Sequence, residues 1–355
     1  MRYPEFLTPG GTIGFVAPSF GCNIEPYHSA FRNALSRFES MGFRTKLGPN
    51  CFAGEGIGIS NTPELCGKEL NDFYCDPESD VLISCGGGEL MCEVVPHIDW
   101  DRIRSSRPKW YIGYSDNTNF TFLSTILADT AAIYGPCAPS FGMEPLAPSL
   151  SDAFSMLQGK TDVSNYPKWE LESLKDEEHP LLPYNMTEDY QQHVYVPAGK
   201  TEESTGNVLQ ETADSVTLEG RLIGGCVDCL VTLAGTEFDQ TKEFLEKYQS
   251  DSFLWFLECC DLTPMDMRRA FFNMKHAGWF KYVKGFLIGR PLHFQEEMLG
   301  LDRFSAVLDV LKDFGVPVLM DLDIGHLPPQ MPLISGSYAR VTAEDNKISV
   351  EHIFK

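Results

Sequence analysis

The chain is short of positive charge: 28 Lys and Arg stand against 50 Asp and Glu, a formal net charge of −22. Nucleic-acid backbones and anionic membrane surfaces recruit proteins through neutralising cations, so both are excluded as general partners, though a local basic pocket is not. Long apolar runs are also missing. No stretch approaches the roughly 18 residues that a bilayer-spanning helix needs. The opening MRYPEFLTPGGTIGFVAP offers only IGFVA as an apolar run, with Pro and Gly where a signal peptide has a continuous core. A cytoplasmic location is therefore expected. Internal repeats and low-complexity tracts are absent. Cysteine is not scarce, but 11 is an odd number spread over 355 residues, a poor match to a disulfide scaffold. The thiols are expected to be small buried hydrophobes in a reducing compartment.

What is present suffices to fold. With 43% hydrophobic residues, 24 Phe and 13 Tyr, wholesale disorder is excluded. The length exceeds one compact core and suggests two domains. Over the first 140 or so residues short apolar runs alternate with amphipathic stretches. TIGFVA, DVLISC, WYIGY and AAIYGP read as strands, while AFRNALSRFESMG and DNTNFTFLSTILADT read as helices. Strands alternating with helices predict a parallel sheet with helices on its faces. The expected N-terminal α/β domain covers 1–143. A Pro-, Glu-, Asp- and Ser-rich connection with weak periodicity covers 144–206. From 207 to 355 a second ordered region begins. VTLEGRLIGG, FLWFLE, VKGFLIG, VPVLMDL and KISVEHIF are strand-like there, with MDMRRAFFNMKHAGWF as a helix between them.

Four local features carry chemistry. Gly113-Tyr114-Ser115-Asp116-Asn117 joins a β-rich run to a helix. Such a sharp turn lifts a hydroxyl out at the carboxyl edge of a sheet, beside the N–H groups of the new helix. Asn117 stands where the G-x-S-x-G pattern has Gly, and on the local sequence alone the reading of Ser115 and Asp116 as helix caps is the favoured one. SCGGGELM places Gly86, Gly87 and Gly88 between a strand and a helix. Their backbone can approach a ligand, but the run fits neither G-x-G-x-x-G nor a phosphate loop with its Lys. Glu258 ends the apolar run FLWFLE, where a buried carboxylate needs a partner. His326 follows Gly325 and precedes a Pro-rich turn. Ser, Glu and His at three strand ends are the parts of an acyl-transfer triad.

GTIGFVAPS, CGGGELM, GYSDNT, YGP, GRLIGG, FLE, GRP and GHLPPQMPL occur in that order from end to end. With them the chain resembles the LD-carboxypeptidase family of serine peptidases, which includes the microcin C self-immunity proteins. The resemblance implies Ser115 as nucleophile, Glu258 as acid and His326 as base, with the backbone N–H groups of Asp116 and Gly87 as oxyanion donors. It implies a Rossmann- or flavodoxin-like N-terminal domain and a β-rich C-terminal one, a frequent homodimer, and no metal or other cofactor. The implied substrates are a murein tetrapeptide losing its terminal D-Ala, or a microcin C-like aminoacyl-nucleotide cut at its amide.

There are departures. Cys226 stands where similar proteins commonly have Asn. Gly88-Glu89 stands where an aromatic often follows the paired glycines. The 144–206 connection is longer than in muropeptide-cleaving relatives, and Trp169 and GRP bring the chain closer to the microcin-immunity branch. Gly88, Trp169 and Cys226 are therefore expected to touch substrate, with Trp169 offering a surface for a base or else pinning the connection to the core. Two other readings remain. Cys226-x-x-Cys229 with Cys259 and Cys260 could ligate a metal, although adjacent cysteines on a strand point to opposite faces. The chain could also be an inactive peptide-binding relative.

Overall fold

The computed structural model describes residues 1–198 and 207–355. Two compact units interleave along the chain. The first comprises Met1–Thr161, Glu170–Thr187 and Pro332–Gly336; the second comprises Asp162–Trp169, Glu188–Met331 and Ser337–Lys355.

The first unit is α/β. Its elements are β1 (Thr12–Val16), α1 (Tyr27–Ser40), β2 (Arg44–Leu47), α2 (Pro63–Cys75), β3 (Val81–Ser84), α3 (Trp100–Ser105), β4 (Trp110–Gly113), α4 (Thr118–Ala128), β5 (Ala132–Tyr134) and α5 (Pro148–Leu157). The strands lie in the order β5-β4-β3-β1-β2, all parallel. Every residue of β1, β3, β4 and β5 is buried, which is why these strands read as continuous apolar runs rather than alternating ones. Helix α1 buries Ala30, Phe31, Ala34 and Phe38 on one face, and Gly42 at φ +87° ends it, as its sequence predicts. Thr62 caps α2, with Pro63 at its first position. The strand order reverses between β1 and β3, so the loops leaving these two strands open a crevice at the carboxyl edge of the sheet.

One expectation fails here. The segment after Gly86–Gly88 forms two short 3₁₀ turns, Met91–Glu93 and Val95–His97, instead of a helix. Pro96 has no N–H to donate and its ring would collide with the preceding turn of an α-helix.

The second unit is strand-rich. The chain supplies β6 (Asp162–Ser164), then β7 (Lys168–Glu170) and β8 (Met186–Asp189), where it passes between units. There follow β9 (His193–Pro197), β10 (Leu209–Glu211), β11 (Val216–Cys226), α6 (Val227–Leu233), α7 (Thr241–Lys247) and β12 (Phe253–Glu258). Next come α8 (Pro264–His276), β13 (Val283–Gly289), α9 (Arg303–Leu311) and β14 (Val318–Leu322). Strand β15 (Leu333–Ser335) returns to pair antiparallel with β5, and β16 (Tyr338–Glu344) and β17 (Lys347–Ile353) end the chain. A nine-stranded sheet runs β10-β9-β14-β13-β12-β11-β16-β17-β6. Its centre, β11 to β14, is parallel, with helices in the crossovers, and antiparallel strands extend both edges. The 144–206 stretch thus contains a helix and several strands; its last residues, 199–206, lie outside the described residues. Among the described residues no helix is long and apolar enough to cross a membrane.

Candidate active site

In the first unit the chain leaves β4 through Tyr114, whose backbone is extended, and turns sharply at Ser115, whose φ is +62°. A left-handed backbone costs a non-glycine residue about 1–2 kcal/mol, and such strain gathers where a side chain must be aimed. A single 3₁₀ turn, Ser115–Asn117, leads into α4. All eleven residues of that helix are buried. The Ser115 N–H donates to the Tyr134 hydroxyl at 3.2 Å.

The glycine loop lies against this turn. A Cβ on Gly87 would stand 3.0 Å from Ser115 Cβ and 3.1 Å from its Oγ, so backbone alone fits beside the hydroxyl. A Cβ on Gly88 would fall 2.2 Å from Ser19 Oγ, and one on Gly86 2.9 Å from the Phe20 carbonyl. The Phe20 N–H donates to the Gly87 carbonyl at 2.9 Å, fixing that peptide plane.

Asn117 accounts for the departure from G-x-S-x-G. It is fully buried. Its Nδ2 donates to the carbonyls of Gly86 (2.7 Å) and Tyr114 (3.0 Å), while its Oδ1 accepts from the Tyr111 hydroxyl. Gly113 makes room for it: a Cβ there would be 2.7 Å from Asn117 Cγ. The Asp116 carboxylate is also buried. Its Oδ2 accepts from Ser19 Oγ (2.5 Å) and the Met91 N–H (2.9 Å), and its Oδ1 accepts from Asn119 Nδ2 (2.9 Å). Burial pushes its pKa up to about 6 against these donors, and the nearby Glu89 charge adds to the rise.

In the second unit Glu258 closes β12 with no exposed surface. Its Oε2 is 3.0 Å from Nδ1 of His326, which follows β14. Burial opposes a charged imidazole, but the Glu258 charge, with hydrogen bonds to Glu258 and the Cys260 thiol, outweighs it and holds the His326 pKa well above its ordinary range. Gly325, at φ +112°, admits the carboxylate: a Cβ there would lie 2.6 Å from Glu258 Oε2. On the neighbouring strand Cys226 is in register with Glu258, and its thiol faces Asp228 Oδ2 at 3.4 Å. Asp228 accepts the N–H groups of Cys260 (3.1 Å) and Asp261 (2.9 Å), so it pins the turn that leaves Glu258.

Trp169 is 7% exposed. The Arg290 guanidinium lies over its ring at 4.2 Å, Phe294 packs edge-on at 5.3 Å, and its Nε1 donates to the Asp189 carbonyl. Arg290 in turn pairs with the buried Asp323 at 3.3 Å, whose pKa burial pushes up to about 6. All eleven cysteines are free, and among the described residues no group of three or more His, Cys, Asp or Glu side chains is placed to hold a metal ion.

Of the residues singled out from sequence, Ser115, Asp116, Gly87 and Gly88 are gathered in the first unit, and Glu258, His326 and Cys226 in the second. Sequence reasoning passed over the side chains of Ser19 and Asp228 and the need for Gly325, and it read Asp116 only as a helix cap or a backbone donor and Asn117 only as a departure from a motif. The signal for Asn117 was available: an amide stands four positions after Gly113, where the G-x-S-x-G pattern has its second glycine.

The family model for the LD-carboxypeptidase N-terminal domain matches residues 13–135, and that for the LD-carboxypeptidase C-terminal domain matches residues 219–341. The microcin C7 self-immunity protein MccF of Escherichia coli is 26% identical over 97% of this chain and 94% of its own length. The murein tetrapeptide carboxypeptidase of Pseudomonas aeruginosa is 24% identical over 39% of this chain and 43% of its own. Among solved structures, MccF in complex with aspartyl sulfamoyl adenosine superposes with a TM-score of 0.77 at 22% identity, covering 100% of this chain and 99% of that one. An MccF-like protein from Bacillus anthracis gives 0.78 at 21% identity, covering 100% of both chains. These structures share the fold.

Proposed function

Because the chain belongs to the LD-carboxypeptidase family, we propose that it is a serine carboxypeptidase-type hydrolase in which Ser115 is the nucleophile, His326 the base and Glu258 the acid that orients it. The observation that carries this reading is the left-handed Ser115 at the end of β4, with the Gly87 backbone against its hydroxyl. The Glu258–His326 pair supplies the rest of the chemistry. His326 takes the Ser115 proton as Oγ attacks the carbonyl of a C-terminal amide. The N–H groups of Asp116 and Gly87 receive the oxyanion, each worth about 3 kcal/mol when well placed. The imidazolium, stabilised by Glu258, then gives its proton to the leaving amine, and water releases the acyl group from Ser115. No step calls on a metal or a cofactor.

The substrate class we favour is an aminoacyl-nucleotide of the microcin C kind, because the self-immunity relative matches from end to end while the murein carboxypeptidase matches over less than half of the chain. Cys226 borders Glu258 on the sheet, and Gly88 follows Gly87, which lies against Ser115; we assign both to specificity on that ground. The test is mass spectrometry of products from a murein tetrapeptide and from aspartyl sulfamoyl adenosine, with wild type and Ser115→Ala. Cleavage of the adenosine conjugate by wild type alone supports the proposal. Cleavage of the tetrapeptide alone moves the substrate to cell-wall recycling, and turnover by Ser115→Ala discards the mechanism. A cytoplasmic homodimer belongs to the same reading, checked by cell fractionation and sedimentation equilibrium.

A further inference from the structure

The two residues after Ser115 make opposite chemical demands. Asp116 meets three donors on two oxygens, namely the Ser19 hydroxyl, the Met91 N–H and the Asn119 amide. A carboxylate accepts at both oxygens and donates at neither, so it can satisfy all three; an amide cannot. Asn117 must donate to two carbonyls, Gly86 and Tyr114, and accept from Tyr111. An amide can do this, whereas a carboxylate has no proton to give. Between them the two side chains grip residues 86 and 91, the two ends of the loop that carries Gly87. Asp116 also ties that loop to Ser19 on the segment leaving β1. In between, the Phe20 N–H holds the Gly87 carbonyl at 2.9 Å and the Glu89 N–H reaches the Gly58 carbonyl at 3.0 Å, but neither bond ties the loop to the Ser115 turn. The loop's glycines have no side chains, and a Cβ on any of them would meet a neighbour within 3.0 Å.

We infer that Asp116 and Asn117 are positioning residues, whose side chains clamp the glycine loop to the Ser115 turn and so set the spacing of the two backbone donors that receive the oxyanion. This rests on Ser115 being the nucleophile. The clamp acts through backbone, so it leaves substrate binding largely alone and is felt when negative charge develops. Two isosteric exchanges test it: Asp116→Asn, which turns an acceptor into a donor facing donors, and Asn117→Asp, which removes the donors facing carbonyls. Their kinetics are read on aspartyl sulfamoyl adenosine or, if that is not cleaved, on the murein tetrapeptide, beside Ser115→Ala.

Each exchange is expected to lower kcat by about 10- to 100-fold, less than the 10²–10³ for outright loss of an oxyanion donor. KM should stay within about twofold, as expected for an interaction made only in the transition state. Labelling of Ser115 by a fluorophosphonate, which also passes through an oxyanion, should slow in parallel. Ser19→Ala removes one donor from Asp116 without a new charge and gives a readout if an exchange fails to fold; its kcat should fall by about 3- to 10-fold, between an intact and a broken clamp. An inert Ser115→Ala beside soluble exchanges with wild-type kcat overturns the clamp and spares the nucleophile. Losses carried by KM alone, or an unchanged Ser19→Ala where the exchanges do not fold, overturn the clamp as well. Turnover by Ser115→Ala overturns the underlying reading instead.

Discussion

The two units hold their reactive groups by different means. In the first, Ser115 is aimed by backbone: a left-handed φ, a glycine loop with no room for side chains, and neighbouring side chains that bond to main-chain groups. In the second, His326 is aimed by charge, through a single buried carboxylate at a strand end. The first arrangement spreads its hold over many contacts, so the loss of one of them weakens it by steps. The second leans chiefly on one ion pair, with the Cys260 thiol beside it, and removing a partner of that pair leaves the other group buried and uncompensated. Placement of the proposed nucleophile is thus a matter of shape, and placement of the proposed base a matter of electrostatics.

Breaking the proposed nucleophile has the largest expected effect. Ser115→Ala should cut kcat on the order of 10⁶-fold with the fold intact by circular dichroism. Breaking the charge is next: Glu258→Gln should cost about 10⁴ in kcat. It should also move the acid limb of kcat/KM to lower pH, because the Glu258 charge and hydrogen bond are what raise the His326 pKa against burial. The same coupling has a stability sign. A raised folded-state pKa stabilises fully below the unfolded value of 6.5, and that contribution is lost as pH climbs through the folded value. Melting curves of wild type minus Glu258→Gln should therefore narrow above about pH 6.5.

Gly325→Ala sharpens the contrast. It adds a methyl 2.6 Å from Glu258 Oε2 on a backbone at φ +112°, and the displaced carboxylate should lower kcat by about 10², with a lower melting temperature. The smallest effect isolates the strain in the first unit. Ser115→Gly should be more stable than Ser115→Ala by about 1 kcal/mol in urea unfolding, because glycine adopts the left-handed backbone freely. Equal stabilities would remove strain from the account of the nucleophile.

Much of this was legible in the chain. The buried strands announced themselves as unbroken apolar runs; Glu258 ended one, and Ser115 and His326 followed shortly after two others. The 144–206 stretch was harder, because its strands are three to five residues long and some find their partners far away. Val163, for example, pairs with Val350. Composition reports local preference and is silent on such pairings. The parallel centre of the second sheet was hidden for the same reason: strand type was readable, strand order was not. Asn117 was seen only as a deviation from a pattern. Its purpose depends on the Gly86 carbonyl, thirty-one positions earlier, reaching its amide. Trp169 was open between two roles, and here its ring packs on Arg290 and Phe294.

One consequence follows from α4. A helix with no solvent-facing side has nothing to gain from fraying, since opening any turn uncovers apolar core. Its amides should exchange with deuterium only through the rarest, whole-unit openings, among the slowest in the first unit. Ser115 rides on the front of that helix, so if it is the nucleophile we propose, heat should leave it competent until the unit melts, and activity and fold should vanish at one temperature.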